Sequence, residues 1–329
     1  MTITKTATLP VSPDEAFALI TEPERLRRWM TVSAYVDLRA GGDYRWTVTP
    51  GHHVAGTVRE LEPGRRVVLG WGWDGDDGLP VDASTVTITV EPADGGSLVT
   101  LVHEGLPADQ VAGHDEGWTH FLERLEKVAT TGDAGQDPWA WEPENLTPLV
   151  AAEAVLSAIQ PILRSITDDD ADRRTPCPEL PVGPLVDHLV ASMVGLGAMV
   201  GATIAEVEGS AEHRVSTAAD ESITAWRRAD LDSTVQGPAG EMPASVGAAL
   251  VSAEIVLHGW DLAQALGTTV EVSDEVVAYV AGLSEPILPM ARGRAFADEV
   301  PAPADASPLD RFAAFAGRTA LAAQPAGQS

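Results

Sequence analysis

The chain has 329 residues, enough for two domains that each bury a core of their own. It is 44% hydrophobic with a formal charge of -28, which argues against nucleic acid or an anionic membrane as partner, since both polyanions would be repelled. The single cysteine, Cys177, excludes an internal disulfide and fits a reducing, cytoplasmic location. The opening residues alternate in the manner of an edge strand and lack the apolar core of a secretory signal. No run along the chain reaches the roughly 18 apolar residues of a membrane-spanning helix.

Ser12-Pro13-Asp14-Glu15 is a capping box with Pro at the first helical position, so the spacing predicts a helix running toward Arg28. Tyr44, Trp46 and Val48 alternate with polar residues, and Val67, Leu69, Trp71 and Trp73 share one face after the Glu62-Pro63-Gly64 turn. Val86, Ile88 and Val90, then Val99, Leu101 and His103 after Gly95-Gly96, repeat the period of two. This pattern predicts an antiparallel sheet. A helix ending near Ala129 follows, with Trp118, Phe121, Leu122, Leu125 and Val128 on one apolar stripe.

A curved sheet closed by that helix would enclose a cavity. Trp29, Tyr44, Trp46, Trp71, Trp73, His103, Trp118 and Phe121 are the candidate pocket residues. Inward aromatics serve as core or as pocket lining, and Trp46, Trp71, Trp73 and Trp118 each bring an N–H that needs a partner once buried. His103 reads either as a core histidine with its hydrogen bonds satisfied or as a pocket donor. His52-His53 is read as loop or edge surface, because adjacent strand residues face opposite ways.

Three stretches carry a family resemblance: Val11-Ser12-Pro13-Asp14-Glu15-Ala16-Phe17, Thr21-Glu22-Pro23-Glu24-Arg25-Leu26-Arg27-Arg28-Trp29, and Gly117-Trp118-Thr119-His120-Phe121-Leu122-Glu123-Arg124-Leu125. With their order of elements they resemble the START-like (SRPBCC) superfamily, in the branch of the activator of the heat-shock chaperone ATPase. The resemblance implies a helix-grip domain over residues 1–130 and a small hydrophobic or electrophilic molecule as partner.

Gly132, Gly135, Pro138 and Pro143 mark 131–146 as a linker. Beyond it apolar residues recur at three and four, predicting helices over 147–166, 182–204 and 222–229, and a fourth from Pro243 to Leu266 stopped by Gly267. The expected class is therefore α+β: a helix-grip sheet domain, then an all-α bundle over 147–320, then a disordered tail over 321–329. Residues 297–306 read as an extended loop.

Glu254 and His258 stand four apart, one turn along the same helical face, so a carboxylate oxygen and an imidazole nitrogen can reach one ion. Their helix is apolar nearly all round (Val251, Ile255, Val256, Leu257), and a carboxylate buried there needs a cation. His188 has a similarly apolar setting on the second helix, which a bundle can bring opposite the fourth. Two histidines and a carboxylate leave one position free for water or substrate, the arrangement of catalytic zinc, although nickel, manganese and iron also accept such ligands. Asp187 and Asp261 flank the ligands as candidate outer acceptors for the imidazoles, or as solvated helix residues.

Further motifs follow: Thr175-Pro176-Cys177-Pro178-Glu179-Leu180-Pro181, His188-Leu189-Val190, His258-Gly259-Trp260-Asp261-Leu262-Ala263, and Ser307-Pro308-Leu309-Asp310-Arg311-Phe312 with Gly317-Arg318. They resemble the actinobacterial family related to mycothiol-dependent maleylpyruvate isomerase. That resemblance implies a DinB-like four-helix fold and a divalent metal, zinc first, on His188, Glu254 and His258. It further implies mycothiol or a similar low-molecular-weight thiol as cosubstrate of a transferase or isomerase. Leu180 and Gly183 depart from the family pattern, and the chain ends soon after Arg318 without the family's sterol-carrier-like domain, so maleylpyruvate itself is not the expected substrate. Cys177 belongs to the motif and reads as a packed thiol rather than a nucleophile. The competing expectation is a non-catalytic protein for hydrophobic ligands or stress, with a structural or residual metal.

Overall fold

The computed structural model describes residues 1–75, 78–177, 179–237, 240–293 and 296–321. Pro178 of the cysteine motif and residues 322–329 of the expected tail lie outside them. Chain contacts divide the protein into two compact units, Met1–Asp137 and Pro138–Ser329.

In the first unit, β1 (Thr2–Leu9) leads into α1 (Pro13–Thr21), whose N-cap Ser12 accepts from the Glu15 amide. The helix expected to run to Arg28 is broken: Glu22 is extended and Pro23 starts a separate turn, α2 (Pro23–Leu26). The break follows from proline, which disfavours helical backbone in the residue before it. Then come β2 (Ser33–Val36), β3 (Asp43–Thr49), β4 (His52–Glu62), β5 (Arg66–Trp73), β6 (Ser84–Ala93), β7 (Gly96–Glu104) and α3 (Val111–Thr131).

All seven strands form one antiparallel sheet in the order β1-β7-β6-β5-β4-β3-β2. The alternation of Val86, Ile88 and Val90 with threonines puts the apolar side chains into the core, as do Val99 and Leu101. The stripe Trp118, Phe121, Leu122, Leu125 and Val128 is buried in the same core, and α3 packs along β1. His52-His53 lies neither in a loop nor on an edge strand, since it opens the interior strand β4, but His52 is exposed and His53 half-buried, as the surface reading expects.

The first part of the expected linker is fastened to α3. Arg124 donates to the carbonyls of Gly135 and Gln136, Lys127 donates to that of Ala134, and His120 Nε2 lies 2.9 Å from Asp137.

In the second unit, α4 (Pro148–Ser165), α5 (Val182–Ala198), α6 (Ala211–Arg227) and α7 (Ala244–Leu266) pack as a ring: α4 on α6 and α7, α5 on α6 and α7. Gly267 caps α7 in the left-handed conformation. Gly259 lets α4 approach α7, since a Cβ there would meet Ile159 Cγ2 at 2.2 Å. α7 is long and apolar enough to cross a membrane by length and composition, but 83% of its most apolar stretch is buried within the unit.

Three expectations for this unit need correction. The helix placed at 222–229 begins eleven residues earlier, because its inward face is built largely from Ala218, Ala219, Ser216 and Ser222, small residues that hide the stripe. The helix placed at 182–204 ends at Ala198. The unit is also not all-helical: β8 (Thr234–Gly237) and β9 (Gly240–Pro243) pair antiparallel before α7. Two further helices, α8 (Asp274–Ser284) and α9 (Pro308–Phe315), pack on each other and on α7.

Candidate functional site

The packing of α5 against α7 brings His188 to the pair four residues apart on α7. The imidazoles of His188 and His258 meet at right angles with centroids 5.0 Å apart, and His258 Nε2 lies 3.3 Å from Glu254 Oε2. One donor atom from each of His188, Glu254 and His258 falls within 4.8 Å of the others. Tetrahedral ligands with bonds of roughly 2.0–2.2 Å stand about 3.3 Å apart, so the trio needs only a small contraction to hold one ion. His258 is buried, Glu254 half-buried and His188 exposed, so the trio opens toward solvent on the His188 side. Glu254 is thus less enclosed than the apolar run around it implies.

The partners of each ligand set its charge. Burial works against an ionised Glu254, but the hydrogen bond and charge of His258, the charge of His188 and a hydrogen bond from Ser192 outweigh it and hold the carboxyl at about 2. Burial likewise opposes a charged His258, and the hydrogen bonds to Asp261 and Glu254 overcome it, raising the imidazole to about 9. His188 is pushed down, first by burial and then by the like charge of His258.

The two flanking aspartates part company. Asp261 is fully buried and accepts from His258 Nδ1 at 3.1 Å. Asp187 points away and pairs with Arg214 of α6 at 2.7 Å, because one residue along a helix turns the side chain by about 100°. Two residues were not singled out as site members from sequence. Ser192 follows His188 by four, a spacing that could have revealed it. Arg318 reaches Asp261 with Nε 3.5 Å from Oδ2, and no spacing announces it. Burial pushes the Cys177 thiol up, Asp261 adds to the effect and Arg318 opposes it, which keeps this sulfur protonated and a poor nucleophile.

In the first unit, the candidate pocket aromatics form a chain of ring contacts: Tyr44 to Trp46 at 4.8 Å, Trp46 to Trp71 at 5.9 Å, Trp71 to Trp118 at 5.0 Å, Trp71 to Trp73 at 6.2 Å. Two histidines satisfy two of the indoles. Trp118 Nε1 donates to His103 Nδ1 at 3.1 Å, so the His103 proton sits on Nε2 and is donated to Ser84 Oγ at 2.8 Å, whose hydroxyl donates to the Trp71 carbonyl. Trp71 Nε1 donates to His114 Nε2 at 3.4 Å, while His114 Nδ1 donates to the Gln110 carbonyl. Burial, then His114 and the N-terminal ammonium, lower His103 to about 3.

Of the other candidates, Trp29 donates to the Leu19 carbonyl and Tyr44 to that of Gly70, both as core residues. Phe121 is buried beside His120. Trp73 is only partly buried, at the end of the ring chain. Trp46 Nε1 is buried without a hydrogen-bond partner among the described residues.

Comparison with known proteins places the sheet unit first. Residues 10–130 match the family described as Activator of Hsp90 ATPase homolog 1-like protein. An AHSA1-like protein from Rhizobium etli is 38% identical, over 44% of this chain and 92% of that one, with a TM-score of 0.37. The Aha1 protein of Colwellia psychrerythraea, solved as a dimer, is 18% identical over 40% of this chain and 98% of its own, with a TM-score of 0.36. By the family match over residues 10–130, the first unit is an AHSA1-like domain of the START-like class, within an α+β chain.

The uncharacterized proteins MT0763 and Rv0738 of Mycobacterium tuberculosis are each 31% identical to it over 181 residues, 53% of this chain and 99% of theirs. That stretch is longer than Met1–Asp137, so it includes part of the second unit. The chain belongs to the same family as these mycobacterial proteins.

Proposed function

We propose that the second unit binds a divalent metal, zinc first, on His188, Glu254 and His258, and uses it for thiol chemistry as a transferase or isomerase with a mycothiol-type cosubstrate. One observation carries this reading: two imidazoles and a carboxylate from two helices converge within 4.8 Å, with one side toward solvent. The motifs resembling the maleylpyruvate isomerase-related family and its DinB-like bundle support it. When bound, such an ion lowers the pKa of a coordinated thiol enough to supply thiolate at neutral pH. The chain's own residues divide the remaining work. Glu254 would bring the negative charge that a dication needs, Ser192 holds that carboxylate, and Asp261 orients His258 with Nε2 toward Glu254, where it could join the carboxylate as a ligand.

The first unit, in this reading, captures a small apolar molecule carrying a hydrogen-bond acceptor. Trp46 Nε1 supports it, since a buried indole N–H left unmet costs free energy that a ligand acceptor would recover. A non-catalytic role in ligand sequestration rests on this same feature.

Metal analysis of the purified full chain tests the main proposal. Wild-type protein is expected to take up one zinc per chain, His258→Ala to take up none, and zinc-loaded wild type to transfer mycothiol to a generic electrophile faster than the metal-free protein. Absence of zinc uptake by wild type sinks the reading. Stoichiometric zinc without thiol transfer would leave the sequestration reading in its place.

A further inference from the structure

The motif Ser307 to Arg318 lies far along the chain from the metal ligands, and its construction is mechanical. Ser307 and Asp310 form a capping box that starts α9, with Ser307 donating to Asp310 Oδ2 at 2.8 Å and the Asp310 amide donating back to Ser307 at 3.1 Å. The other oxygen of Asp310 accepts from Trp260 Nε1 at 2.8 Å, which fastens α9 to α7 two residues beyond His258.

α9 ends in a left-handed turn at Gly317, with the Gly317 amide bonded to the Ala314 carbonyl and the Arg318 amide to that of Ala313. A side chain at Gly317 would be strained by its φ of 83° and would meet Ala297 at 2.8 Å. The turn swings Arg318 back. Its guanidinium lies over the Phe296 ring at 5.3 Å, donates to the Ala316 carbonyl and sets Nε 3.5 Å from Asp261 Oδ2.

Asp261 has no solvent exposure, and its Oδ1 makes no hydrogen bond among the described residues. Arg318 is the cationic side chain that stands beside it, with Nε 3.5 Å from Oδ2. Asp261 Oδ2 accepts from His258 Nδ1 at 3.1 Å, which leaves Nε2 as the nitrogen facing Glu254. We propose that Arg318 is a positioning residue for the metal centre. Delivered by the α9–Gly317 turn, it holds the Asp261 side chain in place and through it fixes the ring orientation of His258. This rests on the metal reading above. It assigns a role to the C-terminal motif that the three ligands leave unexplained.

Zinc affinity of the full chain, measured by competition with a chromophoric chelator, tests it on wild type, Arg318→Gln, Asp261→Asn and the double variant. Outer-shell partners of ligating histidines typically govern affinity by 10–100-fold, so each single variant should lose about that much. Because Arg318 acts through Asp261, adding Arg318→Gln to Asp261→Asn should cost less than about twofold more, against the 10–100-fold expected of it alone. Arg318→Lys, which keeps the charge, should recover part of the loss. The cobalt-loaded variants should show altered ligand-field bands.

Wild-type affinity in Arg318→Gln, or a further tenfold loss in the Asp261→Asn background, overturns the proposal while leaving the metal site intact. Asp261→Asn is isosteric and removes the buried charge, so should Arg318→Gln not fold, unchanged zinc affinity in Asp261→Asn overturns it equally. A wild-type protein that takes up no zinc overturns both readings.

Discussion

The two units each bury histidines and treat them in opposite ways. In the sheet unit His103 and His114 face indole N–H donors, a serine hydroxyl and a backbone carbonyl, and burial keeps both rings neutral. In the helical unit His258 sits between two carboxylates, Glu254 and Asp261, which favour positive charge at the ring strongly enough to overcome burial. The partners, more than the depth, decide what a buried histidine is for. Neutral donors and acceptors close a hydrogen-bond network on itself, whereas converging carboxylates create a place that a cation, proton or metal, can fill.

The largest expected break in that comparison comes from His258→Ala. Metal analysis should show zinc uptake abolished, while hydrogen exchange of the β5, β6 and β7 amides stays at wild-type protection. Protection lost in the sheet as well would mean that the substitution acts through global unfolding, and the contrast between the units would carry no weight.

His103→Leu addresses the other side. It leaves the Trp118 N–H without an acceptor and Ser84 without its imidazole donor, and each unmet buried group costs roughly 1–3 kcal/mol. Exchange protection in β6 and β7 should fall accordingly, with zinc uptake unchanged. Equal protection in wild type and variant would show that the network contributes nothing to the sheet unit.

The same ring makes a pH prediction. The folded His103 titrates at about 3, below the roughly 6.5 of an unfolded chain, so between those values the unfolded state binds a proton that the folded state refuses. Stability of the sheet unit should therefore be fully present above pH 6.5 and decline by about 1.4 kcal/mol per pH unit as acidity rises toward pH 3. Exchange protection measured in that window should show the slope in wild type and a shallower one in His103→Leu. Equal slopes would remove His103 as the cause.

Sequence legibility follows the same division. The sheet is plain in the chain because period-two alternation at Val86, Ile88, Val90, Val99 and Leu101 leaves a core face with few competitors. The Glu254–His258 pair is legible because a single helical turn relates the two residues. His188 and Asp261 are harder, since tertiary packing chooses their neighbours, and His188 rests on family motifs as much as on its own apolar setting. Only the last part of α6 is legible, because alanine and serine fill much of its inward face before it, and β8 and β9 escape because four residues each give too short a pattern. Arg318 was out of reach of any spacing argument: a left-handed turn at the end of a short helix carries it to Asp261.

Asp187→Asn is the smallest expected effect and the sharpest check on how the aspartates are divided. By sequence Asp187 and Asp261 are equivalent neighbours of a ligand. In the fold Asp187 is exposed and bonded to Arg214, while Asp261 is enclosed and bonded to His258. An exposed ion pair contributes about 0–1 kcal/mol, so the substitution should shift thermal stability by no more than that and leave zinc affinity within about twofold of wild type. A tenfold loss of zinc affinity would mean that Asp187 turns toward His188 once the metal is bound, and that both imidazoles, rather than His258 alone, are held by carboxylates.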